Sequence, residues 1–164
     1  MRKKLEINVN YILWKKILIF PLNIILKKKN KIIKIIISNS VNIMSYMFFE
    51  CSSLTSWNLF NFNTNNDKDM SNMFCEYYSL TSLNVFNFNT NNVKDMSEIF
   101  SNCYSLISLN LANFNTNIVN NISYMFSGWS NVTSLNLSNL NTNNVNNIRY
   151  MFYKCSSLSS LKFI

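Results

Sequence analysis

The chain of 164 residues has no histidine, one glycine (Gly128) and one proline (Pro21). The lack of histidine excludes a Ser-His-Asp triad and a histidine general base. A single glycine excludes a glycine-rich phosphate loop. Acids are scarce too, with seven Asp and Glu against fifteen Lys and Arg. The six that lie beyond residue 40 fall mostly where a helix would begin, so capping accounts for them. These gaps point away from an enzyme, and no catalytic or cofactor-binding residue is assigned.

What the chain does have is a core-forming composition. Hydrophobic residues make up 48% and aromatics 15%, which is not the profile of a disordered chain. Asparagine supplies about a fifth of all residues. The net charge of +8 is unevenly placed. Residues 1–40 hold ten Lys and Arg against Glu6 alone, while residues 41–164 hold five basic and six acidic residues. The body is therefore nearly neutral, and no nucleic-acid footprint is expected on it.

The body repeats. Met44, Met70, Met96, Ile122 and Ile148 stand 26 residues apart, and a similar pattern follows each. Four whole units run 44–69, 70–95, 96–121 and 122–147, and a fifth covers 148–164. A period without insertions over about 120 residues predicts an α/β solenoid, because each coil must offer its neighbours the same surfaces.

Within a unit, Leu83 and Val85 alternate with Ser82 and Asn84, which suits a short strand with one buried face. The same columns hold Trp57 and Leu59, Leu109 and Leu111, and Leu135 and Leu137. An Asn-Phe-Asn-Thr-Asn turn comes next. With so little glycine, asparagine is expected there to adopt left-handed backbone and to bond to its own main chain. A short helix is predicted after it. Asp95 is placed as N-cap, and Asp95-Met96-Ser97-Glu98 has capping-box spacing. Met96, Ile99, Phe100 and Cys103 fall on one helical face.

These residues resemble the BspA-type leucine-rich repeat, whose pattern V-x-x-M-S-x-M-F-x-x-C-x-S-L-T-S-L-N-L-x-N-F-N-T matches 41–64, 67–90, 93–116, 119–142 and 145–161. The resemblance implies a leucine-rich-repeat stack, a microbial cell-surface setting, and binding or adhesion. It carries over no catalytic residue. Asp67 stands where the pattern has Val, Trp57 where it has a strand Leu, and Tyr77 and Trp129 in the Cys column. Each is expected to exchange one core filler for another.

Cys51, Cys103 and Cys155 share a column two coils apart, beyond the reach of a disulfide in such a stack. Small buried thiols are the expectation, and no metal site is expected without histidine or a close CxxC pair. The outward strand positions form the candidate ligand-binding ladder: Ser56, Asn58, Phe60, Ser82, Asn84, Phe86, Ser108, Asn110, Ser134 and Asn136. Rows of hydroxyls, amides and aromatic rings suit a glycan or a protein ligand, although a solvated face duplicated by the repeat would look the same.

Residues 1–30 form a basic and apolar extension, and 31–43 are expected to be a partial capping unit before the array of 44–164. The apolar run 17–26 is too short to span a membrane and lacks a small-residue cleavage site. Residues 1–34 are a candidate for membrane contact. The fifth unit stops inside its own strand, which suggests end-to-end self-association or a truncated array. Two functional readings follow: a surface binding module, or an intracellular scaffold docked through its basic N-terminus.

Overall fold

The computed structural model describes residues 21–28, 31–37, 44–49, 55–59 and 63–163. Six strands occur among them: β1 (Pro21–Lys28), β2 (Lys31–Ile37), β3 (Ser56–Asn58), β4 (Ser82–Asn84), β5 (Ser134–Asn136) and β6 (Ser160–Lys162). β1 and β2 make an antiparallel hairpin, and β1 also pairs antiparallel with β3. The hairpin thus runs from the expected extension into the expected capping unit. From β3 onward the pairing is parallel, β3 with β4 and β5 with β6, with partners 26 residues apart. The same offset links Asp69, Asp95, Asn121 and Asn147 by isolated parallel bridges. Successive units are therefore stacked in register.

The predicted helix is not there. No α-helix occurs among the described residues, and the segments after Asp69, Asp95, Asn121 and Asn147 are runs of turns. Two recurring positions explain this. Tyr46, Asn72, Glu98, Tyr124 and Tyr150 have φ between 55° and 58°, and Glu76, Asn102, Gly128 and Lys154 lie in the same left-handed region. Left-handed residues cannot propagate a right-handed helix. Backbone N–H groups therefore turn away from their own segment. Asn72, Phe74 and Glu76 donate to the carbonyls of Ser97, Ile99 and Ser101, and Glu98, Phe100 and Asn102 donate to Ser123, Met125 and Ser127. The bonds that remain local are three-residue turns, such as Met73 to Met70 and Ile99 to Met96. The capping box also resolves differently. Asp95 Oδ1 accepts the Ser97 N–H at 2.8 Å, an Asx turn, while Glu98 is one of the left-handed residues.

The core is nonetheless the one the period predicts. Leu80, Leu83, Val85, Phe88, Val93, Met96, Ile99 and Phe100 are all buried. Stacked turns with this spacing turn the same side chains inward as a helix would. Phe48, Phe74, Phe100, Phe126 and Phe152 form a file of rings 5.6 to 6.1 Å apart, each stacked on the next.

The Asn corner works by hydrogen bonding. None of Asn89 to Asn92 has positive φ, against expectation. Instead Asn89 Oδ1 accepts the Asn91 N–H, and Asn89 Nδ2 donates to Asn65 Oδ1 in the unit before. Asn115 and Asn141 repeat both roles. Thr64 and Thr90, buried, exchange two bonds each with the backbone of Asn89 and Asn115 in the next unit.

The thiols of Cys75 and Cys103 are buried, as expected, and three members of the Cys column are donors as well. Cys103 Sγ donates to the Phe74 carbonyl at 3.2 Å, Trp129 Nε1 to that of Phe100 at 2.7 Å, and Cys155 Sγ to that of Phe126 at 3.1 Å. What these residue types share is an S–H or N–H, which satisfies a carbonyl of the preceding unit. Cys51 lies outside the described residues. Burial raises the Cys75 thiol to about 12 and pushes Cys103 higher still, so neither is a nucleophile at neutral pH.

Asp67 is no simple filler either. It is fully buried, in the column that Val93 and Val119 occupy. Its Oδ1 accepts the N–H groups of Met44 and Asp69, while Oδ2 has no partner. Burial, helped by the nearby Asp69 charge, raises its carboxyl to about 7 against the opposing backbone bonds.

Gly128 has a specific reason. Its φ of +78° is matched by non-glycine residues in the same column, so conformation alone does not demand glycine. A Cβ there would lie 2.5 Å from Asn102 Oδ1 and 3.1 Å from Tyr104 Cε1. A side chain there would have to displace the Asn102 amide and would crowd the Asn102 Cα at 3.2 Å, so glycine fits with the least adjustment.

Candidate ligand-binding face

Ser82, Asn84, Phe86, Ser108, Asn110, Ser134 and Asn136 are all exposed, and Ser56 is half-buried. Phe60 and the side chain of Asn58 lie outside the described residues. The strand places Leu83 and Val85 inward and so turns Ser82, Asn84 and Phe86 outward.

Three successive strands or strand-like segments end in the same device. Asn84 Oδ1 accepts the N–H of Phe86 at 3.0 Å, Asn110 Oδ1 that of Ala112 at 2.9 Å, and Asn136 Oδ1 that of Ser138 at 3.0 Å. A backbone N–H demands an acceptor, so the amide orientation is fixed. Oδ1 faces the main chain, and Nδ2, with no partner among the described residues, is left outward. In the next unit Lys162 takes the column and adds a fourth donor. Asn113 Nδ2 donates to the Phe86 carbonyl at 2.6 Å and Asn139 Nδ2 to that of Ala112 at 2.7 Å, which fixes the turn beneath the ladder. Sequence reasoning had found the outward asparagines but not that each is half committed to its own turn.

The third unit departs from its neighbours. Thr81 donates both N–H and Oγ1 to the Thr55 carbonyl, and Ser159 does the same to Thr133. Ile107 holds that column in the third unit and has no hydroxyl. Residues 107–110 form no strand, and Ile107 is 64% exposed. Even so, the Asn110 turn is formed as in the other units.

Among the described residues, no three His, Cys, Asp or Glu side chains gather as metal ligands, and no helix is long and apolar enough to cross a membrane.

A family model described as "Mycoplasma protein of unknown function, DUF285" matches residues 25–103 and 76–162. The chain belongs to this family. Members of DUF285 have no function in that description, so the match adds none here. No curated protein matches the chain. Among solved structures, a leucine-rich repeat protein from Bacteroides ovatus is similar at 19% identity and a TM-score of 0.49. The match covers 87% of this chain and 32% of that one, so this chain spans about a third of that protein.

Proposed function

We propose that the array is a non-enzymatic, leucine-rich-repeat-type solenoid that binds a ligand through its strand face at a microbial cell surface. One observation carries the reading. The hydrogen-bonding groups of the turns and corners are spent largely on neighbouring units, whereas the outward ladder of Ser82, Asn84, Ser108, Asn110, Ser134 and Asn136 keeps side-chain donors with no partner among the described residues, with the Phe86 ring exposed beside them. A repeat commits its stacking surfaces and leaves its ligand surface uncommitted. The resemblance to surface repeats supports the setting, and the description of DUF285 as a Mycoplasma family supports a microbial one.

Protease treatment of intact native cells tests it. Cleavage within 44–163 without lysis is the expected outcome. Complete protection until lysis would reject the surface reading in favour of a scaffold docked by its basic N-terminal segment.

A further inference from the structure

We propose that the ligand of this face is a linear, acceptor-rich polysaccharide lying along the stack, across the strands. The inference rests on the binding-face reading above and gives it a ligand class. Its ground is the chemistry of the ladder. Because each Oδ1 is held by its own turn, Asn84, Asn110 and Asn136 present Nδ2 alone, and Lys162 continues the column with an ammonium. The row is rich in amide donors, and beside it the exposed hydroxyls of Ser82, Ser108 and Ser134 both donate and accept. An extended peptide presents donors and acceptors in alternation, and its N–H groups would find acceptors at the hydroxyl row alone. A sugar chain carries acceptors on every ring and every linkage.

Spacing favours the same class. Parallel strands stack about 4.8 Å apart, and a β-linked pyranose repeats at nearly that interval. The units keep their register through the third one, because the bridges Asp69–Asp95–Asn121–Asn147 are unbroken. One ring therefore meets one unit. Phe86, 54% exposed, is followed along its column by the small Ala112 and Ser138, so a ring face can rest on it without obstruction from those units.

The test titrates the full chain calorimetrically with two series of oligosaccharides. One is neutral cello-oligosaccharides and the other is acidic hyaluronan oligosaccharides, each from disaccharide to decasaccharide. Affinity should rise with length until the ligand spans Asn84 to Lys162 and then level off. The acidic series should bind more tightly, and Lys162→Ala should weaken that series alone. Asn110→Asp keeps the acceptor for the Ala112 N–H, as Asp95 does for Ser97, and replaces the donor by an acceptor. It should weaken binding about tenfold or more with an unchanged circular dichroism spectrum. Length-independent binding, or full affinity in Asn84→Asp/Asn110→Asp/Asn136→Asp, would overturn the inference. So would failure of both series to bind. Capture of a protein ligand that Phe86→Ala releases would overturn the polysaccharide and leave the binding face standing.

Discussion

The two walls of the stack are built differently. The turn wall is held mainly by backbone: three or four N–H groups of a unit donate to the next, whatever their side chains are, and the Cys-column donors add one side-chain bond between some units. Tyr124, Glu98 and Asn72 share one position and one φ within a few degrees. The strand wall varies from unit to unit. It is paired through Thr81 and Ser159, each of which carries a hydroxyl, and it is open on both sides of Ile107, although Thr133 in the following unit carries the hydroxyl too. A wall built from backbone tolerates sequence drift on its surface. A wall that needs particular side chains records each substitution.

Three experiments press on that contrast. The largest effect is expected at Asp67, the ionisable group behind the turn wall. Its carboxyl is raised to about 7 from 3.8. Stability from the bound proton is complete below about 3.8 and is lost as pH rises through about 7. Unfolding by urea should show the protein more stable at pH 5 than at pH 8, by up to a few kcal/mol. Asp67→Val, the residue type of that column in other units, should flatten the profile; an unchanged slope would remove Asp67 from the account. A smaller effect is expected from Trp129→Phe, which strands the buried Phe100 carbonyl. A loss of about 1–3 kcal/mol is expected in the same assay, although the circular dichroism of the folded protein should not change. The smallest is a gain. Ile107→Thr supplies the hydroxyl that its neighbours have and should stabilise the fold by about 0.5–1.5 kcal/mol, with new amide protection at Ile107 by hydrogen exchange. If protection appears without a hydroxyl, as in Ile107→Val, the strand wall is not side-chain dependent.

Much of this was legible from the period. Leu83, Val85, Met96, Ile99 and Phe100 were placed inside by spacing, and spacing is enough to choose a face. The backbone was not legible, because Met96, Ile99, Phe100 and Cys103 are buried equally by a helix and by consecutive turns. The usual warning of left-handed backbone is glycine, yet Glu98, Tyr124 and Lys154 hold those positions. The Cys column did carry a signal that was missed. Cys103 and Trp129 differ in size and shape and agree in having a polar hydrogen. On the candidate face, the outward asparagines followed from alternation. Their fixed orientation did not, since it depends on where the chain goes two residues later.

The direction of the turn-wall ladder has an electrical consequence. From Asn72 to Gly128, every such N–H points from an earlier unit toward the carbonyl of a later one. Peptide dipoles aligned in one sense add, as they do along a helix. The opposing bonds, such as Lys94 to the Lys68 carbonyl and Asn120 to the Lys94 carbonyl, are fewer per unit. The turn wall thus carries a peptide dipole whose positive pole faces the later units, where Arg149, Lys154 and Lys162 also sit, and it is opposed at the earlier end by Lys27, Lys28, Lys31 and Lys34 of the hairpin that pairs with β3. An anionic chain approaching this molecule would meet positive charge toward both ends of the stack before it touches a single asparagine.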